Sequence, residues 1–396
     1  MKRKICAKTA YVACLAVSLC TAGVVSAQNA GGNSADNTID LLGMAEVGSG
    51  VELASYDSPG IGTLGIGKGC SPKFYVGAEY LQVRANFSEN ITYVERDLSN
   101  LPNGQFTFNQ FDFNYGSSYR MYGGYRLCDC GCDLQFTYSN FSSDASFTSP
   151  AATTDISYVA PLEVVATLPG QTVSGSSSMQ LLSYDLGVSK TIPLGSPLGC
   201  CDSGCGDACC GDVCCGDACG GCGCFCPAWD IVWTGALRWA DLDVTRNFAS
   251  QGGTPTPLGQ RTGNSLLEFE GGGFRTGMLG RRYLGKNGMA SLFLKGDMSL
   301  LLGDLTITSA SIDRTTGVNN VSRQSISCTH VIPVTEIEAG GTVSITKYIN
   351  VSAGYFLAAW HDLGIREEYN FGLQNQYDDA NILGLDGWFL RAEASF

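Results

Sequence analysis

Cysteine is the residue type in this chain whose number and spacing first suggest chemistry. The sequence holds 19 cysteines, and eleven of them lie between Cys200 and Cys226, where the unit Cys-Cys-Gly-Asp occurs twice. Disulfides, a thiolate metal site and an insertion without a specific role are the three interpretations. Disulfides are favoured in an exported chain, and the spacing matches no standard zinc pattern. The candidate disulfide residues are Cys128, Cys130, Cys132, Cys200, Cys201, Cys205, Cys209, Cys210, Cys214, Cys215, Cys219, Cys222, Cys224 and Cys226.

Conventional catalytic groups are scarce. The two histidines are His330 and His361, and the pair His361-Asp362 beside Trp360 is the arrangement that a hydrolase in a loop would use. A polar loop pair without catalytic function is the commoner explanation. Neither a Gly-x-Ser-x-Gly elbow nor a phosphate-binding glycine loop occurs. We therefore expect no enzyme activity, no cofactor and no resident metal.

Composition and the amino terminus indicate an exported protein that does not bind nucleic acid. The net charge is −13 and the pI is about 4.6, whereas binding to phosphates needs a basic surface. Four basic residues precede an apolar run over residues 9–25, with small residues before a cleavage position after Ala27. An uncleaved anchor is the alternative. We expect residues 1–27 to be a signal peptide and 28–72 to be a flexible leader.

From residue 74 onward, apolar and polar residues alternate every second position, which is typical of strands with one apolar and one polar face. One example is the segment in which Leu292, Leu294 and Leu300 alternate with Lys295 and Asp297. In one segment the apolar register slips at residues 271–273, which predicts a glycine bulge. The ten predicted strands are 74–84, 111–127, 133–141, 179–190, 230–241, 266–283, 291–303, 336–346, 350–360 and 386–396.

Connection lengths and aromatic residues favour an outer-membrane barrel over a soluble sheet. Long polar connections alternate with short turns, as in barrels that have long outer loops and short periplasmic turns. The long connections are 86–110, 142–178, 242–265, 304–333 and 361–385. Residues 191–229 form a long insertion on the periplasmic side. The aromatic residues expected to form girdles at the lipid headgroups are Tyr80, Tyr138, Trp239, Trp360 and Trp388.

The predicted fold is therefore all-β: an antiparallel transmembrane β-barrel over residues 73–396, with about ten strands and a range of eight to twelve. The chain ends at Phe396, and a terminal aromatic residue on the last strand is an assembly signal for the barrel-assembly machinery. The expected location is the outer membrane, in contact with its lipid.

Strand parity also predicts which charged residues face the lumen. Nine acidic residues against six basic ones would favour cations in an aqueous pore, whereas pairing across a narrow barrel would merely hold the barrel together. The predicted lumen-facing residues are Glu79, Asp112, Arg120, Arg126, Asp185, Arg238, Glu268, Glu270, Arg275, Lys295, Asp297, Glu336, Glu338, Arg391 and Glu393.

Several short motifs resemble a known family. They are the opening strand at residues 74–81, the glycine-rich block at 269–277 with 291–296 and 299–303, and the terminal block at 387–393. Over roughly residues 73–396 the chain is similar to the pore-forming outer-membrane proteins grouped with the Legionella major outer membrane protein. The resemblance implies a channel for small solutes, and the cysteine-rich insertion departs from it.

The sequence thus predicts a porin-like protein that passes small hydrophilic solutes or ions. The alternative is a closed structural barrel that cross-links, or forms a disulfide-linked homo-oligomer, through its cysteines. A hydrolase with its site at the barrel rim is the remote alternative.

Overall fold

The computed structural model describes residues 74–88, 90–97, 99, 104–127, 132–162, 164–194, 229–252, 260–284, 289–314, 319–346, 348–363 and 381–396. The predicted signal peptide, the leader and nearly all of the cysteine-rich insertion lie outside these residues. In the part of the chain that is described, no helix is long and apolar enough to cross a membrane.

All regular elements among the described residues are strands, and there are fourteen of them. They are β1 (Phe74–Phe87), β2 (Ile91–Asp97), β3 (Gln105–Gln110), β4 (Gly116–Leu127), β5 (Cys132–Thr148), β6 (Ile156–Ala160), β7 (Val164–Ala166), β8 (Thr172–Leu194), β9 (Trp229–Gln251), β10 (Arg261–Leu284), β11 (Ala290–Asp313), β12 (Asn320–Ser344), β13 (Ile349–Trp360) and β14 (Leu383–Ser395).

Ten of these strands close into an antiparallel barrel in the order β1-β14-β13-β12-β11-β10-β9-β8-β5-β4. The two ends of the described chain meet at the closure, where the Phe74 and Phe396 backbones exchange hydrogen bonds of 3.0 and 2.8 Å. We call this end of the barrel the turn end and the opposite end the loop end. The predicted all-β barrel with about ten strands is confirmed.

The pairing register fixes the dimensions of the barrel. Paired residues can be followed from strand to strand around the whole barrel. The path that starts at Leu292 on β11 passes through Tyr80 on β1 and returns to β11 at Asp304. One circuit around the barrel is therefore offset by 12 residues along the strand, towards the loop end. Ten strands with this stagger tilt by about 40° and enclose a cylinder with a Cα radius of about 10 Å. Each step to the next strand climbs about 3 Å along the barrel axis.

The outward-facing side chains form an apolar band. On β11 the outward positions run from Leu292 to Leu302, and the next one is the exposed Asp304. Ten residue steps at the tilt above correspond to a height of about 25 Å, the height of the lipid-facing band in outer-membrane barrels. Beyond the band, at the loop end, β10 and β11 each continue for about ten residues.

An aromatic row lies on the outward face near the loop-end edge of the band. Its neighbours contact each other: the ring centroids are 5.8 Å apart for Tyr80 and Trp388 and 5.2 Å apart for Tyr138 and Tyr184. Trp239 lies beside Tyr184 in register. The prediction for Trp360 was wrong, because its side chain points inward and is 1% exposed.

A four-stranded sheet in the order β3-β2-β6-β7 packs at the loop end. Strand β7 contacts β8, β9 and β10. A glycine is required at position 263 of β10, because a Cβ atom there would lie 2.9 Å from the Leu162 side chain. The sheet therefore packs closely on the inner wall of the barrel.

Two further predictions about the strands were wrong. The pairing of β10 with both neighbours is uninterrupted from residue 262 to 282, so the predicted bulge at 271–273 is absent from this described strand. Much of the predicted loops 142–178, 242–265 and 304–333 is strand, because the barrel wall extends past the lipid band.

Candidate functional site

The inward positions of the strands bring charged side chains together at the centre of the barrel. Eight of the ten barrel strands contribute to one group, because period-two alternation points every second side chain into the lumen. The group, called the ion-pair network below, consists of Glu79, Arg120, Asp185, Arg238, Arg275, Lys295, Asp297, Glu336, Glu338 and Arg391.

One half of the network is centred on Arg238 and Arg275. Arg238 donates two hydrogen bonds to Asp185, at 2.7 and 3.0 Å, and two to Glu336, at 2.7 and 3.2 Å. Arg275 contacts the same two carboxylates and also donates to Asp297 at 2.6 Å. Guanidinium groups suit this position because each donates to two carboxylates in a fixed planar geometry.

The other half crosses the lumen from β4 to β12. Arg120 donates to Glu338 at 2.5 Å and to Glu79 on its neighbouring strand at 3.4 Å. Arg391 binds the same two carboxylates as Arg120, since it donates to Glu79 at 2.9 Å and to Glu338 at 2.7 Å. Lys295 joins the halves, with its Nζ 3.0 Å from Asp297 and 3.8 Å from Glu338.

The ion-pair network is electrically balanced and almost fully buried. Five guanidinium or ammonium groups face five carboxylates, and the most exposed member, Lys295, has only 22% of its side chain accessible. A buried charge is tolerated when it is paired and hydrogen-bonded, and here every member has at least one partner. The arrangement is suited to sealing the lumen mechanically and electrostatically.

An apolar layer fills the barrel on the loop-end side of the network. Its largest fully buried side chains come from eight strands and the segment after β13: Leu81, Met179, Leu181, Leu242, Phe269, Leu301, Leu305, Ile332, Phe356, Trp360, Leu363 and Phe389. The layers are in contact, because the Arg120 guanidinium carbon lies 5.3 Å from the centre of the Phe356 ring. The four-stranded sheet adds Tyr158 and Ala160 to the same core.

Two tyrosines of the four-stranded sheet are also enclosed. Tyr93 and Tyr158 lie edge to face, with ring centroids 5.5 Å apart. Burial, together with the charge of the nearby Glu95 carboxylate, raises the pKa of both phenols. They therefore stay neutral at ordinary pH and act as packing residues.

Polar pairs also line the turn-end side of the lumen. Arg126 contacts Asp133 at 3.3 Å, and the Tyr283 hydroxyl donates to Asp230 at 2.8 Å. Arg281 pairs with Asp230 at 3.2 Å. Asp133, Asp230 and Arg281 were not among the predicted lumen-facing residues, although each lies on the polar face of its strand and strand parity could have identified it.

The structure brings twelve of the fifteen predicted lumen-facing charges into the interior. The other three predictions were wrong. Asp112 is exposed in the segment before β4, and Glu268 and Glu270 lie on the outward face of β10 beyond the lipid band. Without these three acids, six of the predicted acidic residues face six basic ones, and the expected acidic excess disappears.

The remaining predicted residues are the candidate disulfide cysteines and the His361-Asp362 pair. Cys132 begins β5, and the other candidate disulfide cysteines lie outside the described residues. His361 is bonded through Nε2 to the Thr335 hydroxyl at 3.2 Å, and Asp362 has a left-handed backbone. Within the described ranges, no three His, Cys, Asp or Glu side chains are grouped as metal ligands.

No curated protein matches this chain. Among solved structures, the outer membrane protease OmpT from Escherichia coli is 9% identical with a TM-score of 0.39, covering 82% of this chain and 97% of that one. The CymD monoaromatic hydrocarbon channel is 9% identical with a TM-score of 0.24, at 82% and 88% coverage. The translocator domain of the autotransporter NalP from Neisseria meningitidis is 7% identical with a TM-score of 0.24, at 82% and 89% coverage. Likenesses this weak bear on neither activity nor substrate.

Residues 235–396, which run from β9 to the end of β14, match the family model described as Legionella pneumophila major outer membrane protein precursor. This match confirms the family resemblance that the sequence motifs indicated, and over residues 235–396 the chain is similar to the Legionella major outer membrane protein family.

Proposed function

We propose that the protein is an outer-membrane barrel that is closed across its lumen and carries an extracellular extension of its own wall. The observation that supports this proposal is the filled interior, in which the ion-pair network and the apolar layer lie one above the other. The loop end would face outward and the turn end the periplasm, because long extensions and loops are typical of the outer side.

The dimensions of the barrel favour a closed lumen. A Cα radius of about 10 Å leaves room for little more than the side chains that point inward. An ion that crosses the barrel would have to break buried pairs, and removing one partner of such a pair costs about 3–5 kcal/mol. It would then meet the apolar layer, where an unpaired charge is still less favourable.

A closed barrel of this kind would act as a scaffold. Strands β8 to β12 extend beyond the lipid band, and the four-stranded sheet packs within that extension. We propose that the function of the barrel is to hold this extension at the cell surface. Disulfides formed by the cysteine-rich segment at the periplasmic side would add cross-links, and equal gel mobility with and without reductant would contradict them.

A pore is the second candidate. The feature that favours it is the polar chemistry of the network, in which neighbouring carboxylates share guanidinium partners and water could replace individual bonds. Because inward charges are nearly balanced, such a pore would select weakly between small cations and anions.

Planar bilayers separate the two candidates. The purified full chain should show no steady stepwise conductance at moderate voltage if the lumen is closed. Regular steps from the unmodified protein would contradict the closed barrel and support the pore. We also propose that the protein is not an enzyme; a hydrolysis activity that disappears in His361→Ala would contradict that statement.

A further inference from the structure

Two cations lie on the lipid-facing surface near the turn end, and neither has a carboxylate partner among the residues that the structure describes. Lys190 is an exposed outward residue of β8, and Arg282 is an outward residue of β10. The Arg282 guanidinium carbon lies 4.5 Å from the centre of the Trp229 ring. Arg84, an outward cation beyond the aromatic row at the loop end, is instead paired with Asp386 at 3.0 Å.

The pairing register places both cations at the turn-end edge of the lipid band. Lys190 is in register with Trp233, then with Met278, then with Gly296 on β11. Along the barrel axis, Gly296 lies about 10 Å closer to the loop end than Leu292, the apolar position of β11 nearest the turn end. Each of the three register steps from β11 back to β8 moves about 3 Å towards the turn end, about 9 Å in total. Lys190 is therefore level with Leu292.

Arg282 lies slightly lower than Lys190. It is in register with Leu292 on the neighbouring strand β11. Because one register step from β11 to β10 moves about 3 Å towards the turn end, the Arg282 Cα lies about 3 Å beyond Leu292 in that direction. Both cations thus lie at the depth where apolar chains give way to lipid headgroups.

Two indole rings accompany the cations. Trp229 and Trp233 are on β9, between the two cation-bearing strands, and their side chains are 50% and 46% exposed. Tryptophan at a membrane interface packs against the glycerol and upper acyl region of lipids. A guanidinium stacked on an indole face keeps its in-plane N–H groups available for an anion.

The surface between the cations is shallow. Gly280 faces outward there, and a Cβ atom built on it would find its nearest neighbour, the Leu294 carbonyl oxygen, 4.0 Å away. The two cation-bearing Cα atoms are about 16 Å apart by strand spacing and rise, a distance that two long basic side chains can span towards one headgroup.

We propose that Lys190 and Arg282, flanked by Trp229 and Trp233, bind the phosphate of an anionic glycerophospholipid in the periplasmic leaflet. The two positive charges favour an anionic headgroup, and the position of the site at the edge of the lipid band favours a membrane lipid as the ligand. The site requires the barrel to lie in the outer membrane with its turn end in the periplasm. It does not depend on whether the lumen is closed or open.

Native mass spectrometry of the detergent-solubilised full chain tests the site, with phosphatidylglycerol and phosphatidylethanolamine added in separate titrations. Removing one cation should weaken phosphatidylglycerol binding about fivefold, so Lys190→Gln/Arg282→Gln should weaken it about 25-fold. Phosphatidylethanolamine binding should not change. The matched control is Arg323→Gln, which removes a cation from β12 beyond the lipid band.

Several outcomes would overturn the proposal. They are unchanged phosphatidylglycerol binding in the double variant, an equal loss in Arg323→Gln, or an equal loss for the zwitterionic lipid. The heat-dependent gel shift of a folded barrel shows whether each variant has assembled. If the double variant does not assemble, the single variant Lys190→Gln must still show the fivefold loss.

Discussion

Removal of one guanidinium from the ion-pair network should destabilise the barrel strongly. Arg238 donates four hydrogen bonds, two to Asp185 and two to Glu336, and it is 2% exposed. In Arg238→Met the two carboxylates would share only Arg275, and the network would carry one net negative charge in a buried interior. We expect the free energy of unfolding to fall by about 3–5 kcal/mol, as when one partner of a buried pair is lost.

A neutral double variant separates the charge effect from the packing effect. Arg238→Met/Asp185→Leu removes one charge of each sign, so Arg275 can serve Glu336 and Asp297 as before. Buried pairs are often replaced by apolar residues with little loss of stability. We therefore expect the double variant to recover at least about 2 kcal/mol relative to Arg238→Met.

Urea unfolding in lipid vesicles, followed by tryptophan fluorescence and by gel mobility without heating, measures both quantities. The control is Arg261→Met, which breaks the part-exposed pair with Asp313 at 2.8 Å and should change stability by less than about 1 kcal/mol. A buried, energetically coupled network is contradicted if Arg238→Met is as stable as the control, or if the double variant is no more stable than the single one.

Three further predictions concern the faces of the wall, and the same unfolding assay measures them. Trp360→Ala should cost about 3–5 kcal/mol because it leaves a cavity in the apolar layer, whereas the outward Trp388→Ala should cost less. Equal losses of stability would contradict the inward position of Trp360. Met298→Arg near the middle of the lipid band should cost about 2–4 kcal/mol, whereas Glu270→Arg beyond the band should be nearly neutral; a larger cost at Glu270 than at Met298 would contradict this position of the band. Gly354→Val should cost about 1–3 kcal/mol or prevent assembly, because its Cβ would lie 2.2 Å from a carbonyl oxygen; normal stability would contradict that packing.

Period-two alternation was sufficient to predict the barrel and much of its interior. Inside the lipid band a strand has one face toward acyl chains and one toward the lumen, so apolar and charged residues alternate strictly. Strand parity therefore assigned Arg120, Asp297 and Glu338 to the interior correctly. Closure of the interior could not be predicted, because alternation gives the direction of a side chain but not its partner across the lumen.

The wrong predictions lie at the edges of the band or beyond them. Trp360 ends its strand with an aromatic residue, as a girdle residue does, but its parity is inward. Asp112 precedes the first residue of β4, where alternation persists although the backbone has left the barrel sheet. In both cases the sequence pattern is present, but the surroundings of the side chain, whether lipid, lumen or external water, were predicted incorrectly.

The apparent slip at residues 271–273 has the same origin and shows where the membrane ends. On β10 the exposed Phe274 and the charged Glu270 have the same outward parity, and Arg275 and the buried Phe269 have the same inward parity. The strand does not shift; the media on its two faces change. Within the lipid band the outward face must be apolar, and beyond it the outward face contacts water while the inward face packs a core.

The same inversion occurs on neighbouring strands. Outward Trp239 is followed by outward Asp241 on β9, and outward Leu302 by outward Asp304 on β11, while the inward side chains of both strands change from charged to apolar. Since Asp241 and Asp304 are both in register with Glu270, the inversions form one continuous line around this side of the barrel. A membrane barrel and a water-soluble barrel thus share the same strands, and the line that joins them is the outer edge of the lipid.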